Sequence, residues 1–151
     1  DGEINGLEKE PNNLIPIVLE TIMGKREEVV VFGSDYDTAD GSCIRDYIHV
    51  DDLAKAHLSA LDYLESKNQN LVVNLGTSKG LSVLEILRIA GEVSETEFKY
   101  TIGPRRAGDP AVVVAEASLA EKLLDWGPKH SDAATLLETS LRAYRKGTKF
   151  Y

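Results

Sequence analysis

Cysteine is almost missing from this chain: Cys43 stands alone among 151 residues, so no disulfide can form within it. The three histidines are scattered and offer, with that one thiol, no metal-ligand spacing, which excludes a structural metal. Positive charge is also scarce. Lysine and arginine total 17 against 25 acidic residues, a formal net charge of −8, which excludes nucleic acid and anionic membranes as partners, because both demand a basic surface. Any phosphate must be met by a local cluster. Long apolar runs are absent, so nothing reads as a membrane span, and the first residues, Asp1 to Gly6, have neither the basic start nor the apolar stretch of a signal peptide. The default location is the cytoplasm. An initiator methionine is lacking too, and the opening residues read as the middle of a loop, so the chain reads as a fragment.

What is present is a soluble globular composition, 42% hydrophobic and 28% charged, of a size suited to one domain with a real core. Residues 1–12 read as a surface loop. Asn13 is a good N-cap for a helix over residues 14–23, with Pro16 in its first turn and Gly24 at its end. The β-branched run at residues 29–32 predicts a strand buried on both faces. After a polar connection rich in aspartate comes the stretch around which the chain is organised, Arg45-Asp46-Tyr47-Ile48-His49-Val50-Asp51-Asp52. As a strand over residues 44–50 it sends Ile44, Ile48 and Val50 to the core and Arg45, Tyr47 and His49 to a face that carries chemistry. Asp51 is then the expected N-cap of a helix running to about residue 66, with Leu53, Ala56, Ala60, Leu61 and Leu64 along one stripe.

The remainder alternates strand and helix. Residues 71–75, 98–102 and 112–114 predict strands. Ser82 with Glu85, and Ser118 with Glu121, predict capping boxes, and the last helix, from about 132 to 146, buries Ala133, Leu136, Leu137, Leu141 and Tyr144. The fold class is α/β.

Candidate chemistry centres on two arginine sites. Arg45 projects from a strand, and Arg105 and Arg106 sit in a loop stiffened by Pro104 and Gly108. Guanidinium groups fork two hydrogen bonds onto phosphate oxygens, so this pair of sites is where an acidic protein would hold a diphosphate, although either alone is also explained by surface ion pairing. Asp109 suits a pair of sugar hydroxyls, or a turn cap. Asn13 suits a phosphate, or a plain N-cap. The strand through Val30, Val31 and Phe32 has backbone groups for a base edge, or is simply core. Three patterns are discounted: Tyr63 and Lys67 carry a Tyr-x-x-x-Lys spacing without a glycine-rich loop before it, the turn at residues 76–80 lacks both phosphate-loop spacings, and His57 reads as a packed histidine.

Taken in order, Pro11 to Pro16, Val31 to Gly41, Arg45 to Ala56, Asn74-Leu75-Gly76 and Pro104 to Asp109 resemble the C-terminal, substrate-binding half of the UDP-glucose 4-epimerases, within the extended short-chain dehydrogenase or NAD-dependent epimerase-dehydratase family. The Arg-Asp-Tyr-Ile-His-Val-Asp-Asp core is shared by several nucleotide-sugar enzymes, whereas the Asp35-Tyr36-x-Thr38-x-Asp40-Gly41 insertion is closer to the 4-epimerases.

The resemblance implies the substrate-binding part of that fold, a small mixed sheet with helices, without the N-terminal Rossmann core. It implies that Asn13 and Arg45 contact the diphosphate of UDP-glucose or UDP-galactose, that the backbone of Val30, Val31 and Phe32 receives the uracil, and that Arg106 and Asp109 hold phosphate and ribose. It implies NAD as cofactor, bound by an N-terminal domain beyond these residues, no catalytic residue in this chain, and a homodimer when complete. Val112 to Val114 stand where some relatives carry a ligand-touching aromatic. The helix after Arg45 and the 71–75 strand are expected to face the NAD-binding domain, so the chain alone should be inactive and expose apolar surface. Open alternatives are a related nucleotide-sugar dehydratase, a decarboxylase, an epimerase of an N-acetylated hexosamine, or a non-catalytic nucleotide-sugar-binding module.

Overall fold

The computed structural model describes residues 10–146, so the expected N-terminal loop lies for the most part outside the described residues. The elements run α1 (Leu14–Ile22), β1 (Val29–Phe32), β2 (Ile44–Arg45), α2 (Val50–Lys67), β3 (Leu81–Ser82), α3 (Val83–Ser94), β4 (Tyr100–Gly103), β5 (Val112–Val113), α4 (Ser118–Leu124) and α5 (Ala133–Arg145). Strand β1 pairs in parallel with β4, and β2 sits between antiparallel β3 and parallel β5. The three-stranded sheet is the small mixed sheet that the resemblance implies, and the two-stranded one is parallel.

Two hydrophobic clusters organise the packing. In the first, Val18 of α1, Val29 and Val31 of β1, Leu87 and Ala90 of α3 and Leu137 of α5 meet. Leu19, Leu141 and Tyr144 extend the contact between α1 and α5. The second joins Ala56 of α2 to Ala117, Ala120, Leu124 and Trp126 around α4. Helix α3 begins with the predicted capping box: the Ser82 hydroxyl accepts from the Glu85 amide, and the Glu85 carboxylate accepts from the Ser82 amide. Asp132 caps α5, which buries Leu136, Leu137, Leu141 and Tyr144 as expected but leaves Ala133 only half-buried.

Several expectations are corrected. Only residues 44–45 of the 44–50 stretch form a ladder. Helix α2 starts two residues early, so its N-cap is His49 and not Asp51. The His49 Nδ1 accepts from the Asp51 amide, which places the ring proton on Nε2, where it donates to the Thr139 hydroxyl at 2.9 Å. A histidine expected on the chemical face thus stitches α2 to α5. The neighbouring Asp52 is fully buried and accepts from the amides of Lys129 and His130, the His130 ring and the Ser131 hydroxyl. Burial opposes its ionisation, but these four donors outweigh it and hold the carboxyl well below the usual range.

Strand β1 is not buried on both faces: Val29 and Val31 point into the core while Val30 is 38% exposed. Residues 71–75 form no ladder, for no strand lies beside them among the described residues, yet they keep a period of two. Leu71, Val73 and Leu75 pack on the second cluster, and Val72 points outward. The second capping box is replaced, because Glu116 takes both the amide and the hydroxyl of Ser118. His57 is exposed rather than packed, its ring bonded to the Leu53 carbonyl. On α2, Leu58, Leu61 and Leu64 are exposed too, at 65%, 52% and 42%. No helix among the described residues is long and apolar enough to cross a membrane.

Candidate functional site

The candidate residues come from four separate segments that line one cavity of about 1280 Å3, closed on another side by α5. The entry to α1 contributes Asn13, β1 contributes Val30 and Phe32, the end of β2 contributes Arg45 and Tyr47, and the loop after β4 contributes Arg106 and Asp109. The two distant arginine sites therefore share a cleft. Val31 is the exception among the sequence candidates: its side chain is buried in the first cluster and it does not line the cavity. Asn13 occupies the N-cap position of α1, but its side chain makes no capping hydrogen bond, so the plain capping role does not account for its amide.

The backbone of β1 has a free edge. Val29 and Gly33 donate their amides to Lys99 and Gly103, on the β4 side. Because successive residues of a strand turn their N–H and C=O to opposite edges, Val30 and Phe32 direct theirs away from β4. No other strand meets that edge among the described residues. A planar group with alternating donors and acceptors could complete it.

The twin arginines separate in function. The Arg105 guanidinium lies 4.1 Å over the Tyr36 ring, donates from Nε to the Asp35 carboxylate at 2.6 Å and also reaches the Asp35 carbonyl. It fastens its loop to the turn that follows β1. Gly33 is needed for that approach, since a Cβ there would stand 2.6 Å from Tyr36 and 2.7 Å from Arg105, at a φ of +89°. Arg106 instead stacks on Phe32, with its guanidinium carbon 3.8 Å from the ring centre. No carboxylate pairs with Arg106 among the described residues, so its N–H groups are oriented and available for an anion.

Arg45 is already engaged. Its Nη1 donates to the Ile44 carbonyl at 2.7 Å and its Nη2 pairs with Asp109, whose other oxygen lies 4.0 Å from the Cys43 thiol. Sequence reading gave these two residues separate ligand groups; the structure places them hand in hand. Beside them stands Tyr47, which period two puts on the same face as Arg45 and which no motif marks as a site residue. Burial pushes its hydroxyl up to about 12, so it stays protonated and can donate a hydrogen bond into the cavity.

The comparisons with known proteins are consistent with this geometry. A family model described as the NAD dependent epimerase/dehydratase family matches residues 2–76. The chain belongs to this family. A UDP-glucose 4-epimerase from Halalkalibacterium halodurans is 44% identical over 138 residues, covering 91% of this chain and 41% of that protein. A solved UDP-glucose 4-epimerase superposes with a TM-score of 0.94 at 40% identity, over 99% of this chain and 46% of the other. Another, from Bifidobacterium longum in complex with NAD+ and UDP, superposes with a TM-score of 0.83 at 40% identity, over 91% of this chain and 40% of the other. The chain thus spans less than half the length of these relatives, and it has the fold of part of an extended short-chain dehydrogenase.

Proposed function

We propose that this chain is the nucleotide-sugar-binding part of a UDP-glucose 4-epimerase that interconverts UDP-glucose and UDP-galactose. The observation that carries the reading is the convergence of Asn13, Arg45, Arg106 and Asp109, from three separate segments, on one cavity beside the free edge of β1. In this reading Arg106 and Arg45 hold the diphosphate with Asn13, Asp109 accepts from ribose hydroxyls, and the backbone of Val30 and Phe32 meets the uracil edge. The names of the 40–44% identical relatives support the same substrate.

Anchoring UDP at a distance from the reacting carbon gives binding energy and position while leaving the hexose loosely held. The loop at residues 76–80 does not fit the pyrophosphate of NAD. It aims its Thr77 amide at the Asp46 carboxylate instead, and the family's cofactor is assigned here to an N-terminal domain of the same protein. The exposed apolar residues of α2 and Val72 are the surface expected to meet that domain. We place the complete protein in the cytoplasm as a homodimer, a state that light scattering would read directly. Alone, the chain is expected to be inactive.

The test is Arg106→Ala in the protein encoded by the complete reading frame, with UDP affinity measured by calorimetry. Loss of charged hydrogen bonds worth about 1.5–3 kcal/mol predicts a weakening of roughly 10–150-fold. Unchanged UDP affinity would overturn the reading. Turnover of UDP-glucose, set against that of UDP-N-acetylglucosamine, would separate it from the sister activities.

A further inference from the structure

Asp46 lines the cavity between Arg45 and Tyr47, yet its carboxylate is taken by other parts of the chain and serves neither of them. It is held by the loop at residues 76–77 and by the segment leaving β5. The Thr77 amide donates at 3.1 Å to Oδ1 and 3.2 Å to Oδ2, the Thr77 hydroxyl reaches Oδ1, and the Ala115 amide donates to Oδ2 at 3.2 Å. The Asp46 amide in turn donates to the Val113 carbonyl at 3.1 Å. The fit is close: a Cβ on Gly76 would stand 2.3 Å from Oδ2 and 2.7 Å from the Ala115 methyl. The turn at residues 76–80, which lacks the phosphate-loop spacings, is a cradle for this one carboxylate.

The consequence reaches the cavity through the backbone. The β2 ladder ends at Arg45, and nothing regular follows until α2, so the direction in which Arg45 and Tyr47 point depends on what fixes the residue between them. We propose that Asp46 is a positioning residue for nucleotide-sugar binding, with Thr77 as its partner: together they set the aim of Arg45 and Tyr47, the Asp46 carboxylate being spent on the Thr77 and Ala115 donors. This inference rests on the proposed UDP-binding role of the cavity. Thr77 does not line that cavity, so its effect on affinity has to travel through Asp46.

The experiment uses the complete gene product with Asp46→Asn, Thr77→Val and Thr77→Ser, and Arg106→Ala as a reference. UDP affinity, KM, kcat and melting temperature are measured for each. Asp46→Asn and Thr77→Val should weaken UDP binding and raise KM by about 5–10-fold while kcat stays within about twofold, because they remove uniform binding rather than transition-state contacts. Thr77→Ser, which keeps the hydroxyl, should restore the affinity. If both variants lower the melting temperature and leave UDP affinity and KM unchanged, the pair is merely structural and the inference is overturned. A fall in kcat at constant KM overturns it too. If Arg106→Ala weakens UDP while the Asp46 and Thr77 variants do not, only the positioning role fails. Should the unmodified protein ignore UDP, the role of the cavity and this inference fall together.

Discussion

Removing Asp109 should change the cavity's affinity for pyrophosphate and for UDP differently, and the difference can be worked out beforehand. In the free protein Asp109 is the anion that Arg45 holds, with the two side chains 24% and 30% exposed. A pair this far from full burial is worth less than a buried charged hydrogen bond and more than a surface pair, about 1–2 kcal/mol. A diphosphate arriving at Arg45 competes with that contact. We predict that Asp109→Ala tightens binding of inorganic pyrophosphate, which has no ribose, by roughly 5–30-fold. UDP gains the same term but loses the acceptor of its ribose hydroxyls, a charged hydrogen bond worth about 1.5–3 kcal/mol. The internal pair cancels in the ratio of the two affinities, so the preference for UDP over pyrophosphate should fall by roughly 10–150-fold. Titration calorimetry of both ligands at fixed ionic strength, near physiological so that screening is constant, reads both quantities. Pyrophosphate binding that is unchanged or weaker would refute the competition, and an unchanged ratio would refute the ribose contact.

Three further outcomes are expected. Asp52 has a lowered folded-state pKa, so its contribution to stability is complete above the ordinary carboxylate range and is lost as pH falls toward the folded value. Asp52→Asn should cost about 2–4 kcal/mol near pH 7 and flatten the acid limb of stability below about pH 4, and urea unfolding at a series of pH values with an unaltered limb would contradict this. Gly76→Ala, which puts a methyl 2.3 Å from the Asp46 carboxylate, should destabilise by about 1–3 kcal/mol through overpacking, seen as a lower melting temperature. The 151-residue chain alone should self-associate through α2, where Leu58 and Leu61 are 65% and 52% exposed; a Leu58→Lys, Leu61→Lys double variant should shift it toward monomer in light scattering, and an identical size distribution would exclude that face.

Much of the fold was legible because local chemistry decided it. Ser82 and Glu85 announce the start of α3, Asp132 that of α5, and the apolar spacing in α5 marks its buried stripe. The candidate site was legible only in part, as residue types: Arg45, Arg106, Asp109 and Asn13 do line one cavity, but no pattern in the sequence says that Arg45 and Asp109 pair with each other, since 64 residues separate them. The misreadings share a cause. His49 took the cap from Asp51 and Glu116 took Ser118 from Glu121, each time because a competing short-range bond of equal chemistry set the winning partner. Residues 71–75 kept their strand periodicity without a ladder, since alternation reports which side is dry and not whether a neighbouring strand is there to pair.

The buried Asp52 has a mechanical meaning. It sits at the head of α2, which belongs to the second cluster, and grips residues 129–131, which lead directly into α5 of the first. His49 adds a rivet from the same turn to Thr139. Neither half of the packing can therefore slide against the other without unseating a carboxylate from four donors. The α5 wall on which Leu136, Ser140 and Tyr144 close the cavity is thereby tied to the first turn of α2.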